Sequence, residues 1–177
     1  MEKILMIHEV EDWMLDLDLS EYDIFTFDDG LLSQYKHYTH FLSYGKPMYF
    51  FISTDMVCPK SQKQETKTVS CFEALRRYEN GDRSCYMTWE QIKEIQKTPN
   101  CYIGGHGHKH LRLKKDSIKK TYWKVKKDCM EMYDAFKKHD ITINSFCFPH
   151  NEDVFGYRPT LKEYGIEYFF GRERIPI

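Results

Sequence analysis

Ile24-Phe25-Thr26-Phe27-Asp28-Asp29-Gly30 decides the architecture of this chain. Apolar and β-branched residues run into two carboxylates and then a glycine. A run of that length and composition is a buried strand that stops in a turn. In a continuing strand the Asp28 and Asp29 side chains would point to opposite faces. A turn at Gly30 brings both toward one pocket. Adjacent carboxylates repel unless a cation or a proton separates their roles. The pair therefore reads either as a metal ligand beside a general base, or as an Asp-Gly turn that caps the next helix.

Runs of the same kind recur at Ile4 to Ile7, Met48 to Ser53, Cys101 to Ile103, Ile143 to Phe148 and Tyr168 to Phe170. Helical patterns separate them. Leu31 to Tyr44 is stopped by Gly45. Thr88 to Gln96 opens on Thr88 with Gln91 three residues on, a capping box. From Asp116 to about His139, the residues Ile118, Tyr122, Val125, Met132 and Phe136 form one apolar stripe. Lys119, Lys120, Lys126, Lys127 and Lys137 fall largely off it and read as a solvated face. Strands alternating with helices predict an α/β fold with a mainly parallel sheet. Placed in sequence order, such strands close into a barrel shorter than a TIM barrel. Residues 58–87 break the rhythm. They are polar, hold Pro59, Gly81, Cys58, Cys71 and Cys85, and show a short helical pattern only at Phe72 to Tyr78. This is a loop insertion on one rim, placed to line a substrate cleft. The 177 residues otherwise form one domain, 1–177.

Two further segments carry chemistry, each at the end of an expected strand. Gly104-Gly105-His106-Gly107-His108-Lys109-His110 has three histidines in five residues. His106 and His110 are four apart, so a helical turn would put both imidazoles on one face, with His108 pointing elsewhere. That suits a divalent metal; a polar loop with chance histidines is the alternative. Phe146-Cys147-Phe148-Pro149-His150-Asn151 is a strand ended by a proline, which can turn the next backbone N–H toward the pocket. Together the segments offer one carboxylate and two imidazoles, with a second carboxylate to spare. Three protein ligands leave a position open, as in catalytic sites.

Composition narrows the partners. With 26 Lys and Arg against 27 Asp and Glu, the formal charge is -1, which gives no long-range pull toward nucleic acid or an anionic membrane. The N-terminal apolar run is too short for a signal peptide, and no stretch reaches transmembrane length, so a cytoplasmic location is expected. The six cysteines lack C-x-x-C spacing and fit a reducing compartment. Zinc binding by Cys58, Cys71 and Cys85 is a lesser alternative. Oligomeric state is not legible.

At these residues the chain resembles the polysaccharide deacetylases of carbohydrate esterase family 4, the NodB-homology domain. Thr26 to Gly30 matches that family's first motif, TFDDG. Ile103 to His110 is similar to its second, a glycine-rich lead into His-Ser/Thr-x-x-His. Phe146 to Asn151 resembles a degenerate third motif, aromatic-x-aromatic-Pro-Tyr-Gly. Pro47 to Thr54, Met87 to Ile95 and Pro159 to Phe170 resemble further family segments. The resemblance implies a distorted, incomplete (β/α) barrel, often seven-stranded. It implies metal-dependent hydrolysis of the N-acyl group of an amino sugar in a polysaccharide, oligosaccharide or sugar intermediate. It assigns Asp29, His106 and His110 to one divalent metal, zinc first, with cobalt or nickel as alternatives. Asp28 is then the general base and the His150 backbone N–H an oxyanion donor. Pro149 is a candidate sugar contact, and Trp89 or Tyr157, if exposed near the rim, could stack on the sugar, although a core role is the stronger reading for both aromatics.

The departures are specific. Gly107 stands where the family has Ser or Thr, Cys147 where many members carry an Arg that orients the base, His150 for Tyr and Asn151 for Gly. The late Leu-x-His motif that supplies the general acid is not found in these residues. Ile7-His8 ends the first strand as an early Tyr-His does in some relatives, so His8 is the expected acid, with His150 second. The altered motifs keep two other readings open, a carbohydrate-binding homologue that has lost turnover and another metal-dependent hydrolase on the same barrel.

Overall fold

Side chains that alternate in and out along short parallel strands sort themselves onto two faces of one sheet. The computed structural model, which describes residues 2–113 and 117–177, shows the result. Strands β1 (Ile4–Ile7), β2 (Ile24–Phe27), β3 (Met48–Ile52), β4 (Cys101–Gly105), β5 (Ser145–Cys147), β6 (Tyr168–Phe170) and β7 (Ile175–Pro176) form one sheet in the order β6-β5-β4-β3-β2-β1-β7. Every pairing is parallel. The sheet curls into a half-barrel, the distorted barrel of the expected class.

Helices α1 (Leu32–Leu42), α2 (Cys71–Glu79), α3 (Trp89–Gln96), α4 (Ile118–Lys138) and α5 (Tyr157–Glu163) connect the strands. The main core joins sheet and helices. Phe27 and Phe50 stack at 4.6 Å, and Phe41 of α1 meets Phe27 edge-on at 5.2 Å. Each such ring, fully buried, stabilises the fold by about 1.5–3 kcal/mol. A second cluster, Phe51, Cys147 and Phe170 with Ile4 and Tyr49, fills the concave side. Gly104 serves this packing. A Cβ there would lie 2.6 Å from both the Phe51 ring and Ser145 Oγ.

The capping box at Thr88 and Gln91 is formed. Other expectations need correction. The buried line of α4 is Thr121, Val125, Asp128, Cys129, Met132 and Phe136; Ile118, the first residue of the helix, has the right angular position but is 72 % exposed. Asp116, the expected first residue, lies outside the described residues. In residues 58–87 the short helical pattern expected at Phe72 to Tyr78 is found. These residues contain α2 and share a small core of Leu31, Met56, Ala74, Cys85 and Tyr86. They return along the β2–α1 turn, where Met87 N–H donates to Gly30 O at 2.9 Å and Leu32 N–H to Cys85 O at 2.8 Å. Cys58, Cys71 and Cys85 are free thiols, and among the described residues no metal-ligand group includes them.

Candidate active site

The three expected segments meet at the C-terminal edge of the sheet. Asp29 Oδ1 lies 3.3 Å from His106 Nε2 and 3.3 Å from His110 Nε2. Two ligands of a tetrahedral zinc at its usual bond length are about 3.3 Å apart, so this spacing suits a shared ion. Asp29 Oδ1 and His110 Nδ1 are buried without a hydrogen-bond partner. His106 Nδ1 sits 2.8 Å from Cys147 O, which can accept its N–H and so orients Nε2 toward Asp29. Burial pulls the His110 pKa down to about 4, against the opposing pull of Asp29, so its ring is neutral, as a ligand must be. Burial alone would raise the Asp29 pKa; His110 and His106 hold it well below the usual carboxylate range.

The convergence is not helical. Residues 106–110 form an irregular loop, with Gly107 at φ 79° and His110 at φ 51°. Asp29 has φ 71° and is followed by Gly30 at φ 80°. A continued strand would have sent the carboxylate away; the left-handed turn swings it back. His150 at φ 56° and Asn151 at φ 55° share this conformation, so four non-glycine residues of one rim hold sparsely populated backbone.

Asp28 is only 2 % exposed and is gripped by a residue that sequence reasoning missed. Arg174, in the turn between β6 and β7, donates from Nη1 to Asp28 Oδ1 at 2.6 Å and from Nη2 to Asp28 Oδ2 at 2.8 Å. The same guanidinium reaches Thr26 Oγ1 at 3.1 Å, Asn151 Oδ1 at 2.7 Å and Gly171 O at 3.0 Å. All five of its contacts are specific and enclosed. Burial would push the Asp28 pKa up, but the Arg174 charge and hydrogen bonds hold it below the ordinary value. Asp28 is therefore ionised at neutral pH. Arg174 holds Asp28 in a chain where position 147 carries Cys, and Cys147 itself donates weakly to Asp28 Oδ2 at 3.6 Å. On the other side, His8 Nε2 is 4.0 Å from Asp28 Oδ2 and half-buried.

Asp128 of α4 supplies a second relocated support. Its carboxylate accepts from His108 N–H at 2.8 Å and Lys109 N–H at 2.9 Å, which pins the histidine loop. A Cβ on Gly107 would lie 2.7 Å from Asp128 Oδ2. A Ser or Thr side chain at 107 would collide with the incoming carboxylate. The insertion also reaches this loop. Asp55 accepts from Tyr78 at 2.6 Å and Arg83 at 2.9 Å and stands 3.9 Å from His108, whose Nδ1 meets Thr54 Oγ1 at 2.8 Å.

Two candidate sugar contacts named from the sequence are corrected. Tyr157 is 1 % exposed, packed on Phe146 and Phe148, and has no face for a ligand. Trp89 stacks on His139 at 4.2 Å and edge-on against Phe136, at the far end of α4 from the site. Pro149 is buried against the histidine loop, 3.5 Å from the position of a Gly107 Cβ. The His150 ring lies 4.3 Å from the His110 ring and 3.4 Å from Arg112.

A seven-stranded half-barrel with two aspartates and two imidazoles at its C-terminal edge defines a class of hydrolytic site, and the sequence agrees. The model of the polysaccharide deacetylase family matches residues 21–169, and the chain belongs to that family. Among solved structures it is similar to a de-N-acetylase from Aggregatibacter actinomycetemcomitans, with 12 % identity, a TM-score of 0.70, and 99 % of this chain and 93 % of that one covered. It is also similar to IcaB from Ammonifex degensii, with 18 % identity, a TM-score of 0.65, and coverage of 96 % and 82 %. The BpsB deacetylase domain of Bordetella bronchiseptica shares 15 % identity at a TM-score of 0.60, covering 88 % of this chain and 70 % of that one. At these identities the likeness is one of fold. No curated protein sequence matches the chain. Among the described residues no helix is long and apolar enough to cross a membrane.

Proposed function

We propose that this chain removes the N-acyl group, acetyl or formyl, from an amino sugar of a polysaccharide, oligosaccharide or sugar intermediate. Asp29, His106 and His110 would hold one divalent ion, zinc by ligand type, with cobalt or nickel as alternatives. Such an ion supplies Lewis acidity toward the acyl carbonyl and acidifies water. The carrying observation is the Asp29 oxygen placed 3.3 Å from both imidazole nitrogens, with an ionised Asp28 held beside it by Arg174.

The remaining roles follow from where protons can go. Asp28 Oδ2 takes the proton of the attacking water, as general base. Arg174 keeps that carboxylate ionised and fixes both its oxygens. His8 Nε2, 4.0 Å from Oδ2 across the cleft, donates a proton to the leaving amine. The His150 backbone N–H faces the developing oxyanion.

Metal content and acetate release from chito-oligosaccharides or nucleotide-linked acetamido sugars test the reading. Wild type is expected to hold about one ion and release acetate. Asp28→Asn should keep the ion and lose turnover; His106→Ala should lose both. Equal acetate release by all three would refute the proposal.

A further inference from the structure

Residues 58–87 interrupt the alternation of strands and helices, yet they fold against both turns that carry Asp29, His106 and His110. At the aspartate turn the contact is made by backbone. Met87 N–H donates to Gly30 O at 2.9 Å and Leu32 N–H to Cys85 O at 2.8 Å, one bond on each side of Leu31. Leu31 itself pairs with Tyr86 in an antiparallel bridge. At the histidine turn the contact runs through the residues that follow β3. Asp55 N–H donates to His108 O at 2.9 Å and Thr54 N–H to Gly107 O at 3.2 Å, while Thr54 Oγ1 meets His108 Nδ1 at 2.8 Å. The Asp55 carboxylate is held in turn from inside the insertion, by Tyr78 at 2.6 Å and Arg83 at 2.9 Å, and the Arg83 guanidinium lies over the Tyr78 ring at 5.8 Å. One small core joins the two grips. It packs Leu31, two residues after Asp29, and Met56, next to Asp55, with Ala74, Cys85 and Tyr86.

We infer that residues 58–87 are a brace that sets how tightly Asp29, His106 and His110 hold their ion, with Thr54, Asp55, Tyr78 and Arg83 as positioning residues; the inference rests on the ligand set proposed above. Asp29 at φ 71° and His110 at φ 51° hold backbone that persists only where the surroundings over-determine it. A ligand turn that is correctly placed for part of the time lowers the apparent affinity by that fraction. Here the histidine turn is held from two sides. Asp128 takes the N–H groups of His108 and Lys109, and Thr54 and Asp55 take the carbonyls of Gly107 and His108. His108, midway between the two ligands, is thereby fixed at its N–H, its carbonyl and its ring, which gives the third histidine of the cluster a role without an ion. Coupling of this kind is reciprocal, so ion binding must steady the insertion in return.

Zinc affinity by chelator competition, with amide hydrogen exchange, tests this. Thr54→Val removes the link to the His108 ring with little change of shape. Tyr78→Phe combined with Arg83→Met releases the Asp55 carboxylate from the insertion. Each should weaken zinc binding about tenfold or more, as loss of the outer supports of a ligand does. Tyr35→Phe is the control. It deletes a hydrogen bond of the same kind, from Tyr35 to Glu94 at 2.6 Å between α1 and α3, and should leave zinc affinity unchanged. In the wild type, zinc should slow exchange of the amide N–H groups of residues 71–87. Zinc affinity in either brace variant that matches wild type, a loss no larger than that of Tyr35→Phe, or zinc that leaves exchange in 71–87 untouched would overturn the inference and leave the ligand set standing. A wild type that binds no zinc would overturn both.

Discussion

Replacing Arg174 with Met removes the guanidinium from a pocket where its side chain is fully enclosed and its ion-pair partner Asp28 is 3 % exposed by side chain. Met fills much of the volume but returns none of the contacts to Asp28, Thr26 and Asn151. Breaking one partner of a buried ion pair costs about 3–5 kcal/mol, because the other charge is left uncompensated. At about 2–4 °C per kcal/mol for a domain of this size, Tm should fall by roughly 6–20 °C. Arg174→Met, Asp28→Asn and the double variant, compared by denaturant and thermal unfolding, form a cycle. The double variant no longer buries a lone charge, so the two penalties should overlap by about 1–3 kcal/mol. The sign with pH is fixed as well. The depressed Asp28 pKa stabilises wild type above the unfolded carboxylate value of about 3.9 and that stability is lost on acidification through the folded value. In Arg174→Met burial is opposed only by the neighbouring histidines and the Asp28 pKa rises, so the penalty is greatest at neutral pH and fades as acid protonates the carboxyl. The gap between wild type and variant should therefore close as pH falls. Penalties that add within about 0.5 kcal/mol, or a gap that widens in acid, would refute the coupling.

Gly107→Ser restores the residue usual in the family, yet it should destabilise by about 1–3 kcal/mol, because a side chain there takes a strained φ of 79° and meets Asp128 Oδ2 at 2.7 Å; unfolding curves decide, and a gain in stability would contradict the Asp128 account. His8→Ala should keep fold and metal content but slow amide hydrolysis by about 10²–10⁴, while an acetate ester with a good leaving group, which needs no protonation, is hydrolysed nearly as before. Equal losses on both substrates would remove His8 from the acid role. Zinc at about a hundred times its Kd should stabilise the chelator-treated protein by about 2.7 kcal/mol and leave His106→Ala unmoved, as read by calorimetry.

Local chemistry made much of this legible. The strand β6 is found at its expected bounds, Tyr168–Phe170, and the Thr88 capping box is formed as its spacing implies. Apolar period and helix caps are properties of a few neighbouring residues, and they survive folding unchanged. The same holds for Asp28-Asp29-Gly30 and the histidine cluster, whose composition alone marks them as groups that could hold a cation. The backbone route was less legible. Four-residue spacing suggested a helical turn, but Gly107 and the left-handed His110 bring the imidazoles together through a loop. The two-residue β7 is too short to carry a periodic signal. Exposure was misjudged at Ile118 because burial depends on what lies opposite, which no local pattern records.

By itself, then, the order of residues determined the α/β alternation, the acidic turn and the pair of imidazoles, since each is encoded within a few positions. Only the tertiary structure decided that Arg174, 146 residues from Asp28, clamps that carboxylate, and that Asp128, 20 residues from His108, takes over the loop support. A single charged side chain carries no mark of its partner; the pairing exists only once the curled sheet brings the two ends of the chain to one rim, where burial makes each unpaired charge costly and each pair selective.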